Sequence, residues 1–244
     1  MKKIAAFLFM MLTAVSAFAG TPREPLERPE ETSVVSFAST KSASDIKSVS
    51  LRLEWVGEPG VCSATIVGPN LIMTAAHCLP ENKEIKTVKL TTLAGTGVNI
   101  VQVDIAKTWV DKSDHAFLLF NVIENTRVFR IYATIGPWFQ EGQNFEYYGN
   151  PYGLSGIYRR GYVSIVTRDS VALTSNGWKG DSGAGIFDEN GRVMGIVSAL
   201  YGTSTLGGPA FSLLLSYNWS FTPQDWNEIS QHLGRRCQQC AMVR

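Results

Sequence analysis

Three separate motifs in this chain carry the residue types that nucleophilic hydrolysis needs. His77 follows an apolar run, Asp114 precedes another, and Ser182 stands in a Gly-Asp-Ser-Gly motif at 180–183. A serine hydroxyl is a poor nucleophile at neutral pH until a positioned base accepts its proton and a third group orients that base. The motifs together predict a site in which Ser182 is the nucleophile, His77 the base and Asp114 the orienting acid.

The histidine and the aspartate each have a competitor nearby. His115 begins an apolar strand and is read as a partly buried structural residue, whereas His232 falls late in a helical pattern. Only His77 ends a strand at a turn beside a cysteine. An unperturbed imidazole has a pKa of about 6.5, so it can accept and return a proton at neutral pH. Asp111 competes with Asp114, and Asp114 is preferred because it directly precedes the apolar run at 116–119.

Gly180 suits a second part of such a site. Without a side chain, its backbone can turn its amide toward a reacting carbonyl, so the amides of Gly180 and Ser182 are predicted to form an oxyanion hole. The alternative is an ordinary hairpin turn, in which serine and glycine are both common. The presence of His77 and Asp114 elsewhere in the chain favours the catalytic interpretation.

Composition indicates an ordered globular protein. The chain has 244 residues, of which 45% are hydrophobic and 18% are charged, which allows one or two domains with a sizeable core. The net charge is +1, and no basic run of the length typical of nucleic-acid binding is present. We therefore expect no nucleic-acid partner.

The N-terminus has the pattern of an export signal. A basic start at 1–3, an apolar core at 4–15 and Ala17-Phe18-Ala19 predict a signal peptide over residues 1–19, with an uncleaved membrane anchor as the alternative. We expect a secreted or periplasmic protein without membrane association after cleavage. Residues 20–48 are predicted to be a linker or propeptide because they are rich in proline, charge and small polar residues.

The four cysteines fit an exported chain with disulfides. Cys62 and Cys78 flank a strand-turn-strand pattern that can bring them together. Cys237 and Cys240 form a C-x-x-C in the tail at 235–244, which allows a redox pair, half a zinc site, a local disulfide or a flexible tail. A local disulfide or a flexible tail is favoured because further zinc ligands and a thioredoxin-like pattern are missing.

The rest of the chain reads as many short strands, which predicts an all-β sandwich or barrel pair. Candidate strands are 49–57, 61–67, 71–75, 85–93, 97–105, 116–121, 144–149, 157–166, 170–174, 184–188, 192–200 and 208–217. The pattern loosens over 130–143, a predicted crossover between two halves. One helix is predicted near the end, with Thr222 as its cap, Pro223 at its first position and Gly234 after its last turn.

These motifs, in the order His, Asp, Ser, resemble the chymotrypsin-like (trypsin-fold) serine proteases over about residues 49–234. The segment 149–154, Gly-Asn-Pro-Tyr-Gly-Leu, is more similar to the bacterial secreted and periplasmic branch. The resemblance implies two six-stranded antiparallel β-barrels with a C-terminal α-helix, and a disulfide between Cys62 and Cys78. It also implies protein or peptide substrates and neither a metal nor an organic cofactor, whereas no oligomeric state is predicted.

Two features depart from the animal members of that family. Ala184-Gly185 replaces the usual Gly-Pro, and no Arg-Ile-Val-Gly-Gly-like start supplies an N-terminal ammonium for the acid before the serine. Asp181 is therefore expected to find its partner within the fold, or at a terminus freed within 20–48.

The specificity pocket follows from the resemblance alone. Asn176 stands where an acid selects Arg or Lys, Ser198 lies in one wall, and Leu200 narrows the pocket. These three positions predict cleavage after small or medium uncharged residues. The leading hypothesis is thus a secreted serine endopeptidase that forms an acyl-enzyme; the alternatives are a catalytically silent binding protein of the same fold and a non-peptidase acyl hydrolase.

Overall fold

The computed structural model describes residues 43–82, 84–93, 100–121, 128–203 and 211–234. The predicted signal peptide, most of the predicted linker, and the tail cysteines Cys237 and Cys240 lie outside the described residues. No helix within these ranges is long and apolar enough to cross a lipid bilayer.

The first half of the chain forms a closed antiparallel barrel of six strands. The strands are β1 (Ser50–Trp55), β2 (Cys62–Gly68), β3 (Leu71–Ala75), β4 (Thr87–Thr92), β5 (Ile100–Val110) and β6 (His115–Phe120). Their order around the barrel is β1-β2-β3-β6-β5-β4. In β1, Leu51 and Leu53 are buried and alternate with the more accessible Arg52 and Glu54, as the two-residue period of a strand requires.

Strands β2 and β3 are buried on both faces rather than on one. Ile66 and Ile72 belong to the same hydrophobic core as Phe187 and Val193 from the second half of the chain. One face of this part of the barrel therefore packs inward, and the other packs against the second sheet. These two strands therefore lack the alternation of buried and accessible residues that β1 shows.

The second half is an eight-stranded sheet. This sheet and the six-stranded barrel together confirm the predicted all-β class. Its strands are β7 (Thr134–Ile135), β8 (Asn144–Gly149), β9 (Ile157–Val166), β10 (Ser170–Leu173), β11 (Gly185–Phe187), β12 (Arg192–Ile196), β13 (Ala199–Thr203) and β14 (Phe211–Tyr217). Their order is β13-β14-β10-β9-β8-β11-β12-β7, and β7 pairs in parallel with β12.

The resemblance implied six strands in the second half, and the sheet has eight. The two additional strands have local causes. β7 is a two-residue strand in the predicted crossover region. The single strand predicted over 192–200 is divided into β12 and β13, because its backbone changes partners between them. The N–H of Val197 donates to the carbonyl of Ala184, whereas the N–H of Ser198 donates to that of Leu215 in β14. The chain thus leaves β11 and turns toward β14 at this point.

A helix occupies the end of the segment that was predicted to be a linker. Helix α1 (Ala43–Val49) overlaps the last six residues of 20–48, and Ile46 is 1% exposed. Ile46 and Val49 of α1 enter the core, and they are three positions apart on one helix face. The small and polar residues around them conceal this short apolar stripe in the sequence.

Helix α2 (Pro223–His232) confirms the predicted C-terminal helix. The Thr222 hydroxyl accepts a hydrogen bond from the backbone N–H of Asp225, and the Asp225 carboxylate accepts one from the N–H of Thr222, which is a capping box. Ile229 is fully buried on the inner face of the helix. Ile229 and the partly buried Trp226 and Leu233 pack α2 against the core that contains the first barrel.

We expect Thr222→Ala to lower the free energy of unfolding by about 1 kcal/mol, because the helix loses the acceptor for one of its first N–H groups. Chemical denaturation measures the change. Thr222→Ser is the matched control, since it keeps the hydroxyl and should remain close to the wild type. Equal stability of the alanine and serine variants would contradict the proposed role of the cap.

Candidate active site

His77 lies in a 3₁₀ turn, Ala76–Cys78, that directly follows β3. Its backbone N–H donates to Oδ1 of Asp114 at 2.9 Å, and its ring Nδ1 lies 2.8 Å from Oδ2 of the same carboxylate. The N–H of Ala76 donates to the Asp114 carbonyl oxygen at 2.8 Å. Backbone and ring of the histidine turn are thus held by one residue, while the His77 side chain remains 47% exposed.

Asp114 occupies the hairpin between β5 and β6 with a backbone φ of +69°. The Ser198 hydroxyl donates to its Oδ2, the oxygen that also faces His77. Burial opposes ionisation of this carboxyl, but the hydrogen bonds from His77 and Ser198 outweigh burial and lower the pKa of Asp114. The ionised carboxylate holds the imidazole proton on Nδ1, which leaves Nε2 as the basic nitrogen.

Ser182 lies in the connection between β10 and β11. Its carbonyl oxygen accepts from the Ser63 N–H at 2.8 Å and lies 3.7 Å from Sγ of Cys78. The structure contains the disulfide between Cys62 and Cys78, which joins β2 to the turn of His77. The backbone of the serine motif therefore contacts the histidine turn directly. In the part of the chain that the structure describes, the His77 ring is hydrogen-bonded to Asp114 alone.

The amides of Gly180 and Ser182 belong to peptides whose carbonyls are anchored by the protein. The carbonyl of Lys179 accepts from the N–H of Tyr152 at 2.7 Å, and that of Asp181 accepts from the N–H of Ala184 at 3.0 Å. Because C=O and N–H point in opposite directions across a trans peptide, these bonds direct the two amides away from their anchors. Neither amide donates to another described residue, so both donors are available to a ligand.

Asn150 and Ser63 form a polar link beneath this loop that the sequence analysis missed. Both residues are fully buried. The Asn150 amide donates to the Ser63 hydroxyl at 2.8 Å and to the carbonyl of Leu51 at 3.1 Å, and the Ser63 hydroxyl donates to the carbonyl of Gly180 at 2.8 Å. The one available signal was a serine within the apolar run of β2, where a buried hydroxyl requires a partner.

Asp181 has its charged partner inside the fold. Its side chain is fully buried, and Oδ2 lies 3.4 Å from Nη2 of Arg159 and accepts from the Trp178 N–H at 2.9 Å. Burial raises the pKa of Asp181, and the Arg159 guanidinium partly offsets that effect. A Cβ on Gly149 would lie 2.0 Å from Oδ1, so this carboxylate fills the space above a glycine. Arg159 is thus an internal partner, which is one of the two possibilities that the sequence left open.

The three residues predicted for a specificity pocket lie in the second half of the chain, and their place in a pocket stays a prediction. The hydroxyl of Ser198 donates to the Asp114 carboxylate, a contact between positions 84 residues apart. The Asn176 side chain is exposed, and the backbone carbonyl oxygen of Asn176 accepts from Nη1 of Arg159 at 2.7 Å. Leu200 lies in β13, and its backbone pairs with that of Leu214 in β14.

The competing histidine and aspartate form a separate pair. His115 is fully buried, and its Nδ1 lies 2.9 Å from Oδ2 of Asp111. The centre of its ring lies 4.2 Å from that of Trp219, and the two ring planes are tilted by 37°. His115 was predicted to be partly buried and is instead enclosed, so it is inaccessible to a substrate. Across the described ranges, no three His, Cys, Asp or Glu side chains cluster closely enough to hold a metal ion.

Comparison with known families identifies the class of protein. The trypsin-like peptidase domain family matches residues 62–196, which is more than half of the chain and includes the His77, Asp114 and Ser182 motifs. The chain belongs to this family. A comparison with curated proteins gave no match.

Solved structures share the fold at low sequence identity. Deg5 is 18% identical with a TM-score of 0.52, and the match covers 64% of this chain and 81% of that one. A Glu endopeptidase is 19% identical with a TM-score of 0.52, and the match covers 73% and 89% of the two chains. The serine endoprotease from Yersinia pestis is 15% identical with a TM-score of 0.53, and the match covers 72% of this chain but 62% of the longer one.

We expect Arg159→Met to lower the free energy of unfolding by about 3–5 kcal/mol near neutral pH, because it leaves the buried Asp181 carboxylate without its cation. A carboxyl whose pKa is raised in the folded state destabilises that state as pH rises through this pKa. The deficit should therefore shrink on acidification, which denaturation at neutral and at mildly acidic pH measures.

Arg160→Met is the matched control for this substitution. Arg160 follows Arg159 in β9, is exposed, and makes no contact with Asp181. A loss of stability in Arg159→Met no greater than that in Arg160→Met, or a deficit that grows on acidification, would show that Arg159 is not the partner of a buried carboxylate.

Proposed function

We propose that this protein is a secreted or periplasmic serine endopeptidase that hydrolyses peptide bonds through an acyl-enzyme, with His77, Asp114 and Ser182 as its triad. The observation that carries the proposal is the double contact of His77 with one carboxylate, by backbone N–H at 2.9 Å and by ring Nδ1 at 2.8 Å. Orientation of the imidazole by an ionised acid is what a serine nucleophile requires of its base.

In the first half of the reaction, Nε2 of His77 accepts the proton of the Ser182 hydroxyl as Oγ attacks the scissile carbonyl carbon. The carbonyl oxygen becomes an oxyanion, which the amides of Gly180 and Ser182 stabilise. The imidazolium is stabilised by the Asp114 carboxylate, which stays ionised because its pKa is lowered by its hydrogen bonds in spite of burial. The intermediate collapses as His77 returns the proton to the leaving amine, and the acyl group remains on Ser182.

In the second half, water attacks the acyl-enzyme. His77 accepts a proton from that water, the same two amides stabilise the second oxyanion, and the proton then passes to Ser182 Oγ as the ester bond breaks. Each step uses residues that the family match includes. No metal or organic cofactor takes part in this scheme.

Several features support export and the proposed domain limits. The Cys62–Cys78 disulfide fits an oxidising compartment, in agreement with a signal peptide at 1–19. The peptidase domain is proposed to span 49–234, with helix α1 as an N-terminal extension, a linker or propeptide before it, and a tail with Cys237 and Cys240 after it. Protein or peptide substrates follow from the family.

A catalytically silent binding protein of the same fold is a second candidate. It is favoured by one observation, namely that no hydrogen bond joins the His77 ring to the Ser182 hydroxyl among the described residues. Such bonds are often long in an unliganded site and tighten only when substrate binds. The two candidates differ in the reactivity of Ser182, which is directly measurable.

A fluorophosphonate probe should label wild-type protein at Ser182, and Ser182→Ala should reduce kcat on casein by about 10⁶-fold, because the nucleophile is lost. Ser164→Ala, which removes an exposed serine of β9, is the control and should keep full activity. An unlabelled, folded wild-type protein would favour the binding protein. Casein hydrolysis retained by Ser182→Ala would exclude the proposed mechanism.

Cleavage is expected after small or medium uncharged residues, because a charged side chain would be desolvated without a counter-charge at Asn176. Digestion of a peptide library, with the cut sites determined by mass spectrometry, measures this preference. Dominant cleavage after Arg, Lys or Glu would refute it.

A further inference from the structure

The hairpin that carries Asp114 has a structural duplicate in the second half of the chain. Asp111–His115 connects β5 to β6, and Asp188–Arg192 connects β11 to β12. In each, the N–H of the first residue donates to the carbonyl of the fifth, at 3.0 and 2.9 Å respectively. No internal repeat is evident in the sequence, where the two segments share only the leading aspartate.

The leading aspartate organises both loops in the same way. Oδ1 of Asp111 accepts from the backbone N–H groups of the third and fifth loop residues, both at 2.9 Å. Oδ1 of Asp188 accepts from the same two positions at 2.9 and 2.8 Å. The other oxygen faces the fifth side chain, at 2.9 Å from Nδ1 of His115 in one loop and 2.7 Å from Nε of Arg192 in the other.

The fourth position distinguishes the two hairpins. Gly191 occupies it in the second loop with φ +67°, and Asp114 occupies it in the first with φ +69°. This left-handed conformation carries no penalty for glycine, but it is strained for a residue with a Cβ. The acid that contacts His77 therefore stands where this loop geometry favours glycine, so surrounding contacts must hold it there.

We propose that Asp111 is a positioning residue, whose carboxylate holds the hairpin in the geometry that presents Asp114 to His77. This inference rests on the proposed function. Three donors from the hairpin converge on Asp111, and a fourth, the N–H of Ser220 at 2.7 Å, comes from the segment before α2. Trp219 from that segment covers the His115 ring.

The charge on Asp111 fits this role. Burial opposes its ionisation, but the contacts with His115 and the N–H donors outweigh burial and lower the pKa of Asp111. The carboxylate therefore stays ionised and keeps all its donors at neutral pH. Asp111 lies three residues from Asp114 and contacts neither His77 nor Ser182, so it acts on the reaction only through the hairpin.

The duplicate hairpin supplies a matched control. Asp111→Asn and Asp188→Asn remove the same negative charge from the same loop geometry, and each leaves one amide N–H₂ among donors. Both substitutions should lower the midpoint temperature of thermal unfolding. Only Asp111→Asn should lower kcat, by about ten- to a hundredfold, with KM within about twofold of the wild type, because a misplaced base impairs chemistry rather than substrate binding.

The measurements are kcat, KM and the rate of fluorophosphonate labelling of Ser182, each at a temperature where every variant is folded. His115→Phe is a milder second variant, because it keeps an aromatic ring beside Trp219 and removes the ring donor to Asp111; its kcat should fall by about tenfold. An equal loss of kcat in Asp111→Asn and Asp188→Asn would overturn the proposal, as would a wild-type kcat in both Asp111→Asn and His115→Phe.

The Ser182→Ala and Asp111→Asn variants together distinguish the positioning role of Asp111 from the peptidase activity. If Ser182→Ala is inactive while Asp111→Asn keeps wild-type kcat, the peptidase assignment stands and the positioning role is excluded. If Ser182→Ala retains activity, the assignment itself is excluded, and the role of Asp111 with it.

Discussion

Close contact between the backbone at 180–185 and the first barrel is the constraint on which the site depends. A Cβ on Gly183 would lie 2.2 Å from the carbonyl oxygen of Ser63, and one on Gly185 would lie 2.4 Å from the Thr65 hydroxyl. The N–H of Gly185 also donates to that hydroxyl at 2.8 Å. Proline, the usual residue of the family here, has no N–H to donate, so the Ala184-Gly185 sequence matches a polar Thr65 in β2.

Buried carboxylates fix the loops around this contact, and their surroundings shift their pKa values in opposite directions. The pKa of Asp114 is lowered because hydrogen bonds from two side chains outweigh burial, whereas the pKa of Asp181 is raised because burial outweighs its Arg159 partner. Asp114 is thus stabilised as an anion, which is the state that the proposed mechanism requires. Asp181 depends on the guanidinium of Arg159 in β9, so the loop that carries Ser182 is sensitive to a residue of the second sheet.

The sequence was informative where the determinants are local. The Thr222 cap and Pro223 of α2 are close together in the chain, so the local pattern was sufficient to predict this helix. The contact between Ser198 and Asp114 was not predicted, because it spans 84 residues and leaves no local pattern. Helix α1 was missed for another reason: its stability comes from burying Ile46 in a core formed by distant strands.

The left-handed conformation of Asp114 is held in place by the hydrogen bonds of its own carboxylate. Strain of about 1–2 kcal/mol at such a residue is offset by hydrogen bonds to a charged carboxylate, each contributing about 1.5–3 kcal/mol. The hairpin then holds the acid, and the acid holds both the ring and the backbone of His77. His77 and Asp114 therefore form one unit at the edge of the first barrel, and the second half of the chain reaches this unit through the Ser198 hydroxyl and the backbone of Ser182.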